Sequence, residues 1–199
     1  MIHIVGSPSS NAKAVYYAYK DLGVACEIVT DPADLASSTK IVLPGVGAFG
    51  SLSRFLHESN FIHPLRKLVG EGIKLLGICL GMQILGMSSD ESPEASGLEL
   101  VELKSNKFQE GDLRVPHTGW DQISIRTNHE VFEGLNREFS AYFSHSYYLP
   151  VHKELTLATT SYGSTFTSVI AKRNLVGVQF HPERSQRSGR KILSNFADW

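Results

Sequence analysis

The stretch Gly77-Ile78-Cys79-Leu80-Gly81 constrains this chain more than any other. It closes the apolar run Ile73 to Ile78 and passes directly into Met82-Gln83-Ile84-Leu85, which predicts a buried strand turning sharply into a helix with the cysteine at the apex. A residue on so tight a turn is held in a strained backbone conformation, and side chains two positions away on either side would collide unless they were small. Gly77 and Gly81 meet that demand. A sulfur at a helix N-terminus also meets free backbone N–H groups, which favour thiolate, the attacking form of cysteine. Alone, the pentapeptide is equally compatible with a buried structural cysteine between turn glycines, so the rest of the chain has to decide.

Strand and helix signals alternate through the first half. Met1 to Val5 is β-favouring and leads through Gly6-Ser7-Pro8-Ser9-Ser10 to Asn11, placed to cap a helix over Ala12 to Leu22. Ala25 to Val29 and Lys40 to Leu43 read as further strands, the latter bounded by Pro44-Gly45. Phe49 to Val69 reads as helix broken near His63-Pro64, and Cys26 as a core residue. This alternation predicts an α/β fold with an open, mostly parallel central sheet and helices on both faces, in which reactive groups gather at the carboxyl ends of strands. Beyond the polar stretch Ser88 to Glu94 the signals become short and β-like: Leu98 to Leu103, Leu113 to Val115, Ser140 to Leu149, Thr156 to Thr160, Phe166 to Ala171 and Leu175 to Phe180. They predict a smaller antiparallel β region, with a hairpin at Arg173-Asn174 and a closing helix over Ser185 to Trp199. No linker or repeat interrupts residues 1–199, so a single domain is expected.

A formal net charge of −1 with 20% charged residues gives no electrostatic case for nucleic acid or an anionic membrane surface, and small neutral or zwitterionic partners stay open. Two cysteines make no disulfide framework, the start lacks the pattern of a secretory signal, and no apolar stretch spans a bilayer. A reducing cytoplasm is the expected location, where Cys79 stays a thiol.

A cysteine nucleophile needs a base and a group to orient that base. Of eight histidines, His181 is singled out by Val176-Gly177-Val178-Gln179-Phe180-His181-Pro182-Glu183, whose alternation turns Gln179 and His181 to one side. Glu183 joins them if the chain stays extended through Pro182, and its carboxylate would then fix the imidazole tautomer. Leu43-Pro44-Gly45-Val46-Gly47-Ala48-Phe49-Gly50 offers bare backbone donors for an oxyanion, with Val46 or Gly47 giving one N–H and Leu80 the other. The same loop lacks the third glycine of a dinucleotide site. His3, His57, His63, His129 and His152 read as packed or solvated, whereas His117 and His145 lie in aromatic, glycine or serine-rich context that fits a pocket wall or a structural role. No Cys/His cluster has metal-ligand spacing, so neither metal nor other cofactor is expected.

With Cys79, His181 and Glu183 beside a glycine-rich loop, the chain resembles the class I, or triad, glutamine amidotransferases. Pro44 to Phe49, Pro116-His117-Thr118-Gly119-Trp120 and His145-Ser146-Tyr147-Tyr148 are similar to the branch formed by the glutaminase subunits of imidazole glycerol phosphate synthase, which serve histidine biosynthesis. The resemblance implies hydrolysis of L-glutamine to glutamate through a thioester on Cys79, with ammonia passed to a cyclase partner of (β/α)8 fold in a heterodimer. It also implies that Gln83, His145, Ser146 and Tyr147 meet the glutamine, and that Asn11, Trp120 and Arg184 lie towards the partner. Two departures stand out: Gly6-Ser7-Pro8-Ser9-Ser10 replaces a Tyr-Gly-x-Gly-Asn loop of which only Asn11 matches, and Arg184 replaces a common lysine. The altered loop keeps two alternatives open, a paralogue serving a different synthase such as one amidating a sugar, and an inactive glutaminase-like regulatory module.

Overall fold

The computed structural model describes residues 1–8, 10–109 and 113–199, so Ser9 of the altered loop lies outside the described residues. In chain order the strands are β1 (Ile2–Val5), β2 (Cys26–Val29), β3 (Lys40–Gly45), β4 (Lys74–Cys79), β5 (Ser88–Ser89), β6 (Lys104–Lys107), β7 (His117–Ile125), β8 (Glu138–His145), β9 (Tyr147–Tyr148), β10 (Thr156–Tyr162), β11 (Ser164–Lys172) and β12 (Leu175–Val178). The helices are α1 (Ala12–Asp21), α2 (Phe49–Glu58), α3 (Ile62–Gly70), α4 (Leu80–Gln83) and α5 (Gln186–Asp198). Nine strands form one sheet in the order β2-β1-β3-β4-β12-β11-β10-β7-β8, and β5, β6 and β9 form a small second sheet. From β2 to β12 neighbours run parallel, and from β12 to β8 they run antiparallel. The expected α/β architecture is present, with the antiparallel strands continuing the parallel sheet.

The inner parallel strands β1, β3, β4 and β12 are buried on both faces because both are covered. Ile4, Val42, Leu76 and Val176 join Val15, Tyr19, Ile192 and Phe196 in a core beneath α1 and α5. Val5, Ile41, Leu43 and Leu75 join Leu52, Leu56 and Leu65 in a second core beneath α2 and α3. Alternate residues of one strand thus feed different cores, the period-two geometry of a strand. No helix among the described residues is long and apolar enough to cross a membrane.

Several local expectations need correction. β3 runs on through Pro44 and Gly45, because β1 pairs with it only as far as Val42 and the proline's missing N–H breaks no bond on that side. The helix after Cys79 is a single turn. The break between α2 and α3 falls at 59–61, where Asn60 has φ 58°, and Pro64 sits inside the first turn of α3. Cys26 is half-buried on edge strand β2. Leu98 to Leu103 is not a strand: it is a loop whose N–H groups at Leu98, Leu100 and Val101 bond the carbonyls of Ile84 and Leu85. Leu113 to Val115 is likewise outside any strand, while the nine-residue β7 had no apolar run to announce it.

Candidate active site

The cysteine turn is built by volume exclusion. Cys79 has φ 54° and ψ −111°, a conformation that costs a non-glycine residue about 1–3 kcal/mol. A Cβ on Gly81 would lie 1.8 Å from the carbonyl oxygen of Leu43, and one on Gly77 would lie 2.6 Å from that of Gly81. Both obstacles are backbone and cannot swing aside. The absence of two side chains therefore lets α4 lie against β3 and presents Cys79 at the carboxyl end of β4.

The base arrives from the next strand. β12 pairs with β4 in parallel, Val178 opposite Ile78, so the segment after β12 passes beside Cys79. His181 is fixed by its own backbone, its N–H donating to Tyr142 O at 2.8 Å while Ser185 Oγ donates to its carbonyl at 2.7 Å. The chain does not stay extended through Pro182. It folds into a 3₁₀ turn over Pro182–Arg184, and this turn, not extension, returns the carboxylate to the imidazole. His181 Nδ1 lies 2.8 Å from Glu183 Oε1, and both side chains are almost fully buried. α5 packs closely on the turn at Gly189, where a Cβ would meet Pro182 O at 1.9 Å.

Burial disfavours an imidazolium at His181, but the negative charge of a Cys79 thiolate, a hydrogen bond to that sulfur and the Glu183 carboxylate outweigh it and push His181 up to about 10. The same contacts favour the imidazolium form of His181 at neutral pH. Gln179 Nε2 also donates to Cys79 Sγ at 3.7 Å. Gln179 was marked in the sequence only by sharing a side with His181. Among the described residues no group of three or more His, Cys, Asp or Glu is placed to hold a metal.

Cys79, His181 and Glu183 open on one cavity of about 510 Å³, which Val46, Gly47 and Leu80 also line. Gly47 has φ 84° with open space around a built Cβ, so its requirement is conformational rather than spatial. Ala48 gives α2 no side-chain cap. Instead Glu91 Oε2 accepts from Phe49 N at 2.7 Å and Ser92 Oγ from Gly50 N at 3.1 Å, clamping the glycine loop from a segment the sequence marked only as polar.

Residues 3–199 match the family model described as glutamine amidotransferase class-I. The chain belongs to this family. The subunit HisH of imidazole glycerol phosphate synthase from Syntrophotalea carbinolica is 38% identical over 205 residues, covering 100% of both chains. The protein of the same name from Sulfurimonas denitrificans is 40% identical, covering 100% of this chain and 98% of its own. A solved structure described as glutamine amidotransferase covers 100% of both chains with a TM-score of 0.79 at 20% identity, a likeness of fold.

In this amidotransferase the far wall of the cavity is the bend at Ser146, where β8 passes into β9. Gln83 Nε2 donates to Tyr147 O at 2.8 Å and to Gln179 Oε1 at 3.1 Å, so both its amide hydrogens are spent on the protein and only its oxygen is left for a ligand. Ser146 and Tyr147 line the cavity directly. His145 lines it too, but its ring is packed among Phe108, His117 and Phe166. Burial, together with the charges of His117 and His181, outweighs its bond to Tyr147 O and pushes it down to about 3, so it stays neutral.

The three residues expected towards a partner have different surroundings. Trp120 is 49% exposed and meets Tyr142 edge-on, and the Arg184 guanidinium lies 4.8 Å above the Tyr142 ring. Trp120, Tyr142 and Arg184 form one platform, of which Arg184 also lines the cavity, with Tyr142 an unforeseen member. Asn11 lines the same cavity as Arg184: it makes no side-chain cap for α1, and its Nδ2 donates to Glu183 Oε1 at 2.5 Å, the oxygen His181 also uses. Its side chain reaches into the site.

Proposed function

We propose that this chain is the glutaminase subunit of an imidazole glycerol phosphate synthase. The observation that carries the chemistry is the cavity in which a strained Cys79, a His181 held as imidazolium and a buried Glu183 meet. The Cys79 thiolate adds to the carboxamide carbon of glutamine, and the N–H groups of Leu80 and of Val46 or Gly47 receive the oxyanion. His181 gives its proton to the departing nitrogen, ammonia leaves, and a thioester remains. His181, now neutral, takes a proton from water as it attacks the thioester, releasing glutamate and restoring the thiolate and imidazolium. Glu183 holds Nδ1–H throughout, leaving Nε2 to exchange the proton. Gln83, His145, Ser146 and Tyr147 form the wall against which glutamine lies.

Residues 1–199 act in this reading as one glutaminase domain that hands ammonia to a (β/α)8 cyclase docked over Trp120 and Arg184. The exposed Trp120, joined through Tyr142 to the cation of Arg184, which lines the cavity, supports that docking face. The complex works in the cytoplasm, where a reducing milieu keeps Cys79 a thiol. The test is to pair the chain with a cyclase subunit and compare nitrogen sources. Cys79→Ala is expected to abolish glutamine-dependent turnover while ammonium-dependent turnover by the complex persists. Glutamine-dependent turnover surviving in that variant would end the reading.

A further inference from the structure

His117 and His145 are cross-strand partners on β7 and β8, both buried. His145 Nδ1 lies 2.8 Å from Tyr147 O, His145 Nε2 lies 3.0 Å from His117 Nδ1, and His117 Nε2 lies 3.3 Å from Asp121 Oδ2. Both ends of this line are acceptors, since a peptide carbonyl and an ionised carboxylate have no proton to give. Each of the three links therefore needs a proton from an imidazole. Two neutral imidazoles carry two, so the line is complete only when the pair holds a third. Without it, one link sets lone pair against lone pair.

The third proton belongs on His117. Both rings are buried, but at His145 the charge of His181 adds to burial in resisting a proton, whereas Asp121 lies beside His117 and draws one there. Burial is still the larger influence at His117 and holds it below the ordinary imidazole value, so the third proton leaves at a lower pH than it would from a free imidazole. The titratable groups facing the pair are Asp121, His181 and the Tyr162 ring stacked on His117 at 4.0 Å. The remaining rings against it, Phe108, Phe143 and Phe166, are neutral.

The far end of the line matters because Tyr147 O is an anchor of the cavity wall, accepting from Gln83 as well as from His145. Ser146 O is likewise taken, by Phe108 N at 3.1 Å. The bend keeps its place through these donors. We infer that His117 and Asp121 are positioning residues for the substrate wall at Ser146 and Tyr147, acting through His145, and that one proton held on His117 sets the affinity for glutamine. This rests on the glutaminase reading for its substrate, while the proton count rests on geometry alone.

The test is the KM for glutamine between about pH 5 and pH 8 in the full chain and in Asp121→Asn, with ¹⁵N NMR of the imidazole nitrogens. The unaltered chain is expected to show KM rising about three- to tenfold as His117 loses its proton, with kcat following a separate profile. An asparagine amide at position 121 can donate to Nε2 of a neutral His117, so two protons then suffice and KM stays flat over the same range. The spectra are expected to show His145 protonated at Nδ1 and His117 passing from two protons to one. The same KM profile in Asp121→Asn as in the unaltered chain would overturn the inference, as would a His117 that carries one proton throughout. If glutamine is not hydrolysed at all, the functional reading fails and the spectra alone judge the line.

Discussion

The two halves of the main sheet fix their functional groups by different physics. In the parallel half, β3 and β4 hold Cys79 through backbone packed on backbone, with Gly77 and Gly81 leaving no room for a single methyl group. In the antiparallel half, beside β12, β8 and β7, backbone contacts place His181, and side-chain hydrogen bonds then orient the groups: Glu183 on His181, Asn11 on Glu183, Gln83 and His145 on Tyr147, Asp121 near His117. Volume exclusion has no adjustable part and no pH dependence. Hydrogen bonds between titratable groups have both, so the nucleophile is fixed while the base and the substrate wall can be tuned.

That contrast is sharpest at Gly81. Gly81→Ala forces a methyl into Leu43 O, and a loss of more than about 4 kcal/mol of stability is expected, read from urea denaturation. Gly47→Ala, with open space but φ 84°, should cost only about 1 kcal/mol. Equal costs at the two glycines would break the claim that packing, not conformation, builds the turn.

In the other half effects should be graded and move with pH. Glu183→Gln keeps an acceptor for Nδ1–H but removes a charge, and a fall of about 10²- to 10⁴-fold in kcat is expected. His181 is raised to about 10 partly by Glu183, so its imidazolium stabilises the fold fully below the ordinary value near 6.5, and that contribution is lost as pH rises through about 10. Glu183→Gln should move that loss to lower pH, together with the alkaline limb of glutamine hydrolysis. An unmoved alkaline limb would remove Glu183 from the account. The smallest effect is expected at Asn11→Ala, about three- to tenfold in kcat for one hydrogen bond to Glu183 Oε1, with unchanged stability because Asn11 caps nothing. Lost stability with intact kcat would return Asn11 to a capping role.

The same contrast explains what the sequence could disclose. Gly-x-Cys-x-Gly is legible because the clash it avoids lies within a few residues and one neighbouring strand. His181 and Glu183 are legible as types two positions apart, although the turn that joins them is not, since Pro182 permits either an extended or a turned chain. β7 escaped notice because Gly119, Asp121 and Gln122 interrupt any apolar period, and its place is set by pairing with β8. Leu98 to Leu103 misled in the opposite sense, being apolar enough for a strand but spent on the carbonyls behind α4. At Asn11 local chemistry offered a cap, and a carboxylate 172 positions away takes its amide instead. Long-range hydrogen bonds leave no periodic trace.

The central claim is that Cys79 is a nucleophile shaped to receive glutamine, and its most direct test is covalent. The chain is incubated with a diazoketone analogue of glutamine, with and without excess glutamine, and intact mass and peptide mapping locate the adduct. One adduct per chain on Cys79, slowed by glutamine and absent in Cys79→Ala, with the half-buried Cys26 untouched, is the predicted result. Labelling shared between Cys26 and Cys79 at a rate indifferent to glutamine would contradict it.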